Sequence, residues 1–107
     1  MNLTISGHQL DLTEALKNYA ETKVQRLVEP FEKVIDVHLI FSTDKLHQSA
    51  EATVHLSGKT VFAKADAKDC YAAMDLLVDK VDRQLVRYKE RKSDHRSAPI
   101  NVDGFDL

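Results

Sequence analysis

The sequence has almost nothing from which a covalent or metal-clamped framework could be built. Cys70 is its single cysteine, so an internal disulfide and any CxxC metal or redox arrangement are excluded. Three glycines, Gly7, Gly58 and Gly104, form neither a P-loop nor a dinucleotide fingerprint. Tryptophan is absent and prolines number two, which leaves few forced breaks. No apolar run approaches the ~20 residues of a membrane span, and MNLTISGHQL lacks the basic and apolar segments of a secretory signal. A cytoplasmic protein with no membrane partner is the default expectation. The five histidines, His8, His38, His47, His55 and His95, are scattered without HExxH spacing. His38 and His55 can meet across neighbouring strands, but exposed-face histidines are the better reading, and no metal, cofactor or catalytic residue is expected. Cys70, near a helix N-terminus, is open to a lowered thiol pKa, yet without a base partner it reads as structural.

What the chain does have is charge, sorted by place. At 107 residues it has room for one modest core, with 43% hydrophobic and 30% charged residues in proportions ordinary for a globular domain. Its net charge of −2 conceals an asymmetry. Residues 80 to 92 hold six cations against two anions, net +4, whereas the rest holds nine against fifteen, net −6. A local basic patch on an acidic molecule fits one specific polyanionic surface better than indiscriminate coating of nucleic acid.

The hydrophobic periods divide the chain into six elements. Leu3 and Ile5 alternate with polar neighbours in a first strand, with Gly7 offering a turn after it. Thr13 is the expected N-cap of a helix buried along Leu16, Ala20, Val24 and Leu27 and stopped near Pro30. From Val34 to Ser42 the period changes to two, with Ile35, Val37, Leu39 and Phe41 on one side. Ala50, Ala52, Val54 and Leu56 continue that period after a polar turn, and Gly58 turns the chain into Thr60 to Asp66. Asp69 caps a second helix over about Cys70 to Lys92, buried along Met74, Leu77, Val78, Val81, Leu85 and Tyr88. The expected fold is α+β, in the order β-α-β-β-β-α. The first helix is a crossover, so the first two strands are parallel, the rest an antiparallel meander, and both helices lie on one face of a four-stranded mixed sheet. Residues 1–92 form this domain, and 93–107, with no sustained period, are read as a flexible C-terminal tail.

The second helix sorts its charges by face. Lys80, Arg83, Arg87 and Arg91 make one stripe, and Asp75, Asp79, Asp82 and Glu90 another. Favourable helix-dipole placement and pairs such as Asp79 with Arg83 account for a solvated face of this kind. Tyr19, Lys23 and Arg26 on a flank of the first helix favour more, since two helices on one sheet face then present cations toward a common channel. Tyr88 beside the stripe is either a stacking platform or a partly buried aromatic. A protein-interaction module that uses the charged helix without RNA is the alternative reading.

The segment from Asp69 through Leu85, DCYAAMDLLVDKVDRQL, resembles the second helix of the bacterial ribosome hibernation promoting factor and ribosome-associated inhibitor family, which reads like D-M-Y-A-A-I-D-x-x-I-D-K-L-x-R-Q-L. Leu12-Thr13-Glu14-Ala15-Leu16 is similar to the start of the family's first helix, and Ser49 to Val54 to its third strand. The likeness covers about residues 1 to 92, with Cys70 in place of the more usual methionine. It implies a fold like double-stranded-RNA-binding domains and binding in the decoding channel of the small ribosomal subunit. There the protein would block the messenger RNA and transfer RNA sites and inhibit translation in stationary phase or stress. The implied RNA-binding residues are Lys23, Arg26, Lys80, Arg83, Arg87, Lys89, Arg91 and Lys92, and the implied partners are the small subunit, its ribosomal RNA and a second ribosome modulation factor. Promotion of ribosome dimers is the favoured outcome; a longer-tailed inhibitor that opposes them is the alternative.

Overall fold

The computed structural model describes residues 1–31 and 33–94. Six elements follow in the order β1 (Asn2–His8), α1 (Glu14–Val28), β2 (Val34–Thr43), β3 (Gln48–Leu56), β4 (Lys59–Ala67) and α2 (Cys70–Asp94). The strands lie in one sheet in sequence order, β1 parallel to β2 and the other neighbours antiparallel. This is the expected α+β architecture. The helix predicted to end near Lys92 continues to Asp94, and the remainder of the proposed tail lies outside the described residues.

Local chemistry sets the ends of the elements. Thr13 caps α1 by accepting the Leu16 amide at 3.1 Å, and Asp69 caps α2 by accepting the Ala72 amide at 2.8 Å. Pro30, which has no amide proton, follows directly after the closing Glu29 N–H to Gln25 carbonyl bond of α1. Asp44 Oδ1 accepts both the Leu46 and His47 amides at 2.9 and 3.0 Å, which closes the β2–β3 turn. Those two donors, His47 first, hold its carboxyl below the usual carboxylate range. The β3–β4 turn uses Gly58 at a φ of +80°, where a side chain would be strained.

The core is the space between the sheet's inner face and the two helices. Val37, Leu39 and Phe41 of β2, the predicted row Ala50 to Leu56 of β3, and Val61, Ala63 and Ala65 of β4 meet α1's Leu16, Ala20, Val24 and Leu27 and α2's Met74, Leu77, Val81 and Leu85. The small alanines of β3 and β4 let α2 settle close to the sheet.

Two local expectations need correction, and the structural reading of Cys70 stands. Ile35 is 54% exposed, because the pairing steps from Val34–Leu56 to Asp36–His55 and leaves it as an extra residue on β2. Such a bulge flips the alternation at one point. Gly7 is not the turn but the penultimate residue of β1, paired with Phe41, and the left-handed residue is Gln9 at a φ of 62°. Gly7 is needed for closeness: a Cβ there would stand 2.7 Å from the Leu10 carbonyl oxygen. Cys70 is buried, its thiol donates to Gln48 Oε1 at 2.9 Å, and desolvation, followed by the charge of Asp69, pushes its pKa up rather than down.

Candidate nucleic-acid interface

The apolar line of α2 fixes what its other faces meet. Tyr71 and Asp75 lie toward α1: the Tyr71 and Tyr19 rings stand edge to face at 5.0 Å, and Asp75 Oδ1 accepts the Tyr19 hydroxyl at 2.5 Å and pairs with Lys23 Nζ at 3.2 Å. Asp82, two turns beyond Asp75, shares that flank. The opposite flank lies along β4, one of the two edge strands of the sheet. There Lys80 Nζ donates to the Lys64 carbonyl at 2.8 Å and Gln84 Nε2 to the Phe62 carbonyl at 3.0 Å. One turn farther, the Tyr88 hydroxyl donates to the Ser57 carbonyl at 2.8 Å. Residues 80, 84 and 88 thus form one row that covers carbonyls of β4 and of the turn that leads into it.

This geometry revises the common cationic channel expected between the helices. Lys23 faces an acidic residue of α2, while the stripe begun by Lys80 lies on the far flank, toward β4. The apolar line runs between the two flanks, so burying it turns one toward each neighbour. Tyr88 is half-buried against the core, so its ring packs rather than offering a stacking platform. The helix pair read from spacing also dissolves: Asp79 and Arg83 form no ion pair with each other, while Asp75 is taken by α1 and Lys80 by β4.

The predicted cations therefore occupy distinct situations. Arg83 and Arg87 are exposed and make no hydrogen bond or ion pair with any described residue, and the same is true of Arg26 on α1. Arg26 lies with Tyr19, Lys23 and Tyr71 along a shallow groove. Lys23 and Lys80 are committed to protein partners, and Lys89 stands over the Phe31 ring at 5.7 Å. Arg91 and Lys92 belong to α2, and their side chains lie outside the described residues. An unpaired guanidinium keeps all five N–H donors available in a planar fork, the geometry that grips phosphate best. The described site is accordingly two arginine positions on the β4 flank of α2 and one on α1, with the Tyr19, Lys23 and Asp75 cluster between the two helices.

Asp75 ties α2 to α1 electrostatically. The Tyr19 hydrogen bond, opposed by desolvation and aided by the Lys23 ammonium, holds its carboxyl below the usual carboxylate range, and Asp75 in turn raises both Tyr19 and Lys23.

The sheet's helix-free face carries a second cluster. Asp36 and His38 of β2 and His55 of β3 bring three donor atoms within 4.8 Å of one another. The meeting of His38 with His55 is visible from strand pairing, but Asp36 is not. Its signal is the Asp-x-His spacing together with the register that sets Asp36 opposite His55. No helix among the described residues is long and apolar enough to cross a membrane.

Comparison with known proteins gives one consistent result. Residues 3–93 match the family described as sigma 54 modulation protein / S30EA ribosomal protein. A ribosome hibernation promoting factor from Azotobacter vinelandii is 48% identical over 103 residues, covering 96% of each chain. That of Salmonella typhimurium is 38% identical across 89% of this chain and all of its own. Among solved structures, a ribosomal subunit interface protein from Coxiella burnetii superposes with a TM-score of 0.80 at 33% identity, over 84% of this chain and 99% of that one. The N-terminal domain of Protein Y from Thermus thermophilus gives 0.76 at 30%, over 82% and 99%.

Proposed function

Because the chain belongs to the sigma 54 modulation protein / S30EA ribosomal protein family, we propose that it is a cytoplasmic ribosome hibernation factor. It lodges in the decoding channel of the small subunit, excludes messenger RNA and transfer RNA, and so stops translation in stationary phase or stress. It acts by occupancy, without chemistry. The observation that carries this reading is the pair of unpaired arginines, Arg83 and Arg87, on the β4 flank of α2, with Arg26 on the other helix. Cations on separate sides of the helix layer suit a cleft with RNA on more than one wall, whereas a flat duplex needs a single basic face. Acidic residues between them repel phosphate wherever the orientation is wrong, which restricts the fit. In the same reading the chain favours ribosome dimers, alongside a second modulation factor.

The test is charge reversal at positions whose side chains have no structural duty. Arg83→Glu with Arg87→Glu is expected to abolish co-sedimentation with small subunits and relieve inhibition of cell-free translation, while the circular dichroism spectrum is unchanged. Lys80 is left alone because it covers the Lys64 carbonyl. Undiminished ribosome binding by the double variant would defeat the proposed interface. Recovery of a partner from RNase-treated lysate, with no subunit sedimentation, would point to protein recognition instead.

A further inference from the structure

We propose that Asp36, His38 and His55 form a binding site for a borderline first-row divalent cation of the Zn²⁺ class, on the sheet face that the helices leave open. The site goes beyond the ribosome-binding reading and shares no residue with it.

Strand geometry assembles the donors. Asp36 and His38 are two apart on β2 and so share its outer face, and the register places His55 of β3 opposite Asp36. Asp36 Oδ1 lies 3.7 Å from His38 Nε2 and 3.8 Å from His55 Nε2. Both distances exceed those of an N–H···O hydrogen bond, which seldom passes about 3.2 Å. That oxygen is nonetheless buried and without a hydrogen-bond partner, a costly condition for a carboxylate. Two nitrogens and one desolvated oxygen thus converge on a space that a proton does not fill. A metal ion would satisfy all three at once.

The spacing is near that required. Zn²⁺ binds imidazole nitrogen and carboxylate oxygen at roughly 2.0–2.2 Å, so donors around a tetrahedral ion stand about 3.3–3.6 Å apart. Contraction from a spread within 4.8 Å is a matter of small side-chain torsions, and His38 and His55, 49% and 43% exposed, are free to make them. Their rings are perpendicular with centroids 5.9 Å apart, so neither stacks on the other. Thr60, opposite His55 on β4, places its hydroxyl 3.4 Å from His55 Nδ1. With the Nδ1 proton donated to Thr60, the Nε2 lone pair of His55 is left for the ion, the outer-shell arrangement that orients metal-binding histidines. Two imidazoles select against Mg²⁺ and Ca²⁺, which prefer oxygen donors, and three protein donors leave a fourth position for water.

Calorimetric titration of the metal-stripped full chain with zinc chloride tests the site. One equivalent is expected to bind, with excess Mg²⁺ unable to displace it. His38→Ala and His55→Ala are each expected to weaken binding by at least about tenfold. His47→Ala, at a histidine beside Asp44 and Asp66 at the far end of the β2–β3 hairpin, is expected to leave it unchanged. Should an alanine variant fail to fold, the near-isosteric Asp36→Asn carries the same expectation. Absence of saturable Zn²⁺ binding overturns the proposal. So does binding that survives loss of both histidines, or that follows His47 instead.

Discussion

Asp75 shows how much one residue's surroundings decide. Its carboxylate joins Tyr19 and Lys23 across the helix pair, with the Lys23 and Asp75 side chains 34% and 52% exposed. Solvent screening at that exposure limits the contribution to less than about 1 kcal/mol. Its folded pKa is depressed, so the stabilisation is fully present above the unfolded carboxylate value of about 3.9 and disappears as pH falls through the lower folded value. Asp75→Asn should therefore cost less than about 1 kcal/mol near neutral pH, and the difference should vanish at the acid end of a urea-unfolding series. A loss of equal size at every pH would assign the effect to packing. None of this is legible in the sequence, where Lys23 and Asp75 are far apart. The types of charge could be read there; which ones were already occupied could not, because Lys23, Lys80 and Asp36 take their partners from elements brought together only by the fold.

The elements themselves were written plainly. Period-two alternation over 37–41 and 50–56, the caps Thr13 and Asp69, and the apolar line of α2 all act within a few residues, so local physics determines them. Sequence and structure differ where an element answers to a neighbour. Ile35 continues the alternation of β2 without interruption, and only pairing with β3 reveals the bulge. Gly7 likewise looks like a turn signal until the loop from Leu10 folds back over it. The close approach makes a firm prediction: Gly7→Ala forces the strand or the loop to shift and should destabilise the fold by about 1–3 kcal/mol, read from the midpoint of denaturant unfolding. Gly58→Ala acts through a different cause, backbone strain at a positive φ with open space around the new methyl group.

For the whole molecule the decisive quantity is how its charge is distributed. On the proposed reading, an acidic protein with a basic strip approaches RNA in few orientations, and its affinity then depends on the ions that its cations displace. If about four phosphate contacts form, log affinity for small subunits should fall with log salt concentration at a slope near −3 to −4. Sedimentation at several potassium concentrations and constant Mg²⁺ would measure it, and a flat dependence would exclude phosphate contacts as the source of affinity. The partition into a basic segment and an acidic remainder was open to reading from the sequence. That the segment turns toward β4 was not, since it depends on which side of α2 the sheet edge lies.

That placement bears on the order in which a new copy matures. β1 and β2 pair only after α1 has crossed between them, and the inner faces of β3 and β4 remain bare until α2 lies down on them. Since synthesis runs from the N-terminus, α2 emerges after every strand it must cover. A nascent chain therefore holds a sheet without its lid, and its arginine strip takes its final orientation only when that last helix docks. On the proposed reading, the chain can engage a small subunit only once the ribosome making it has delivered α2.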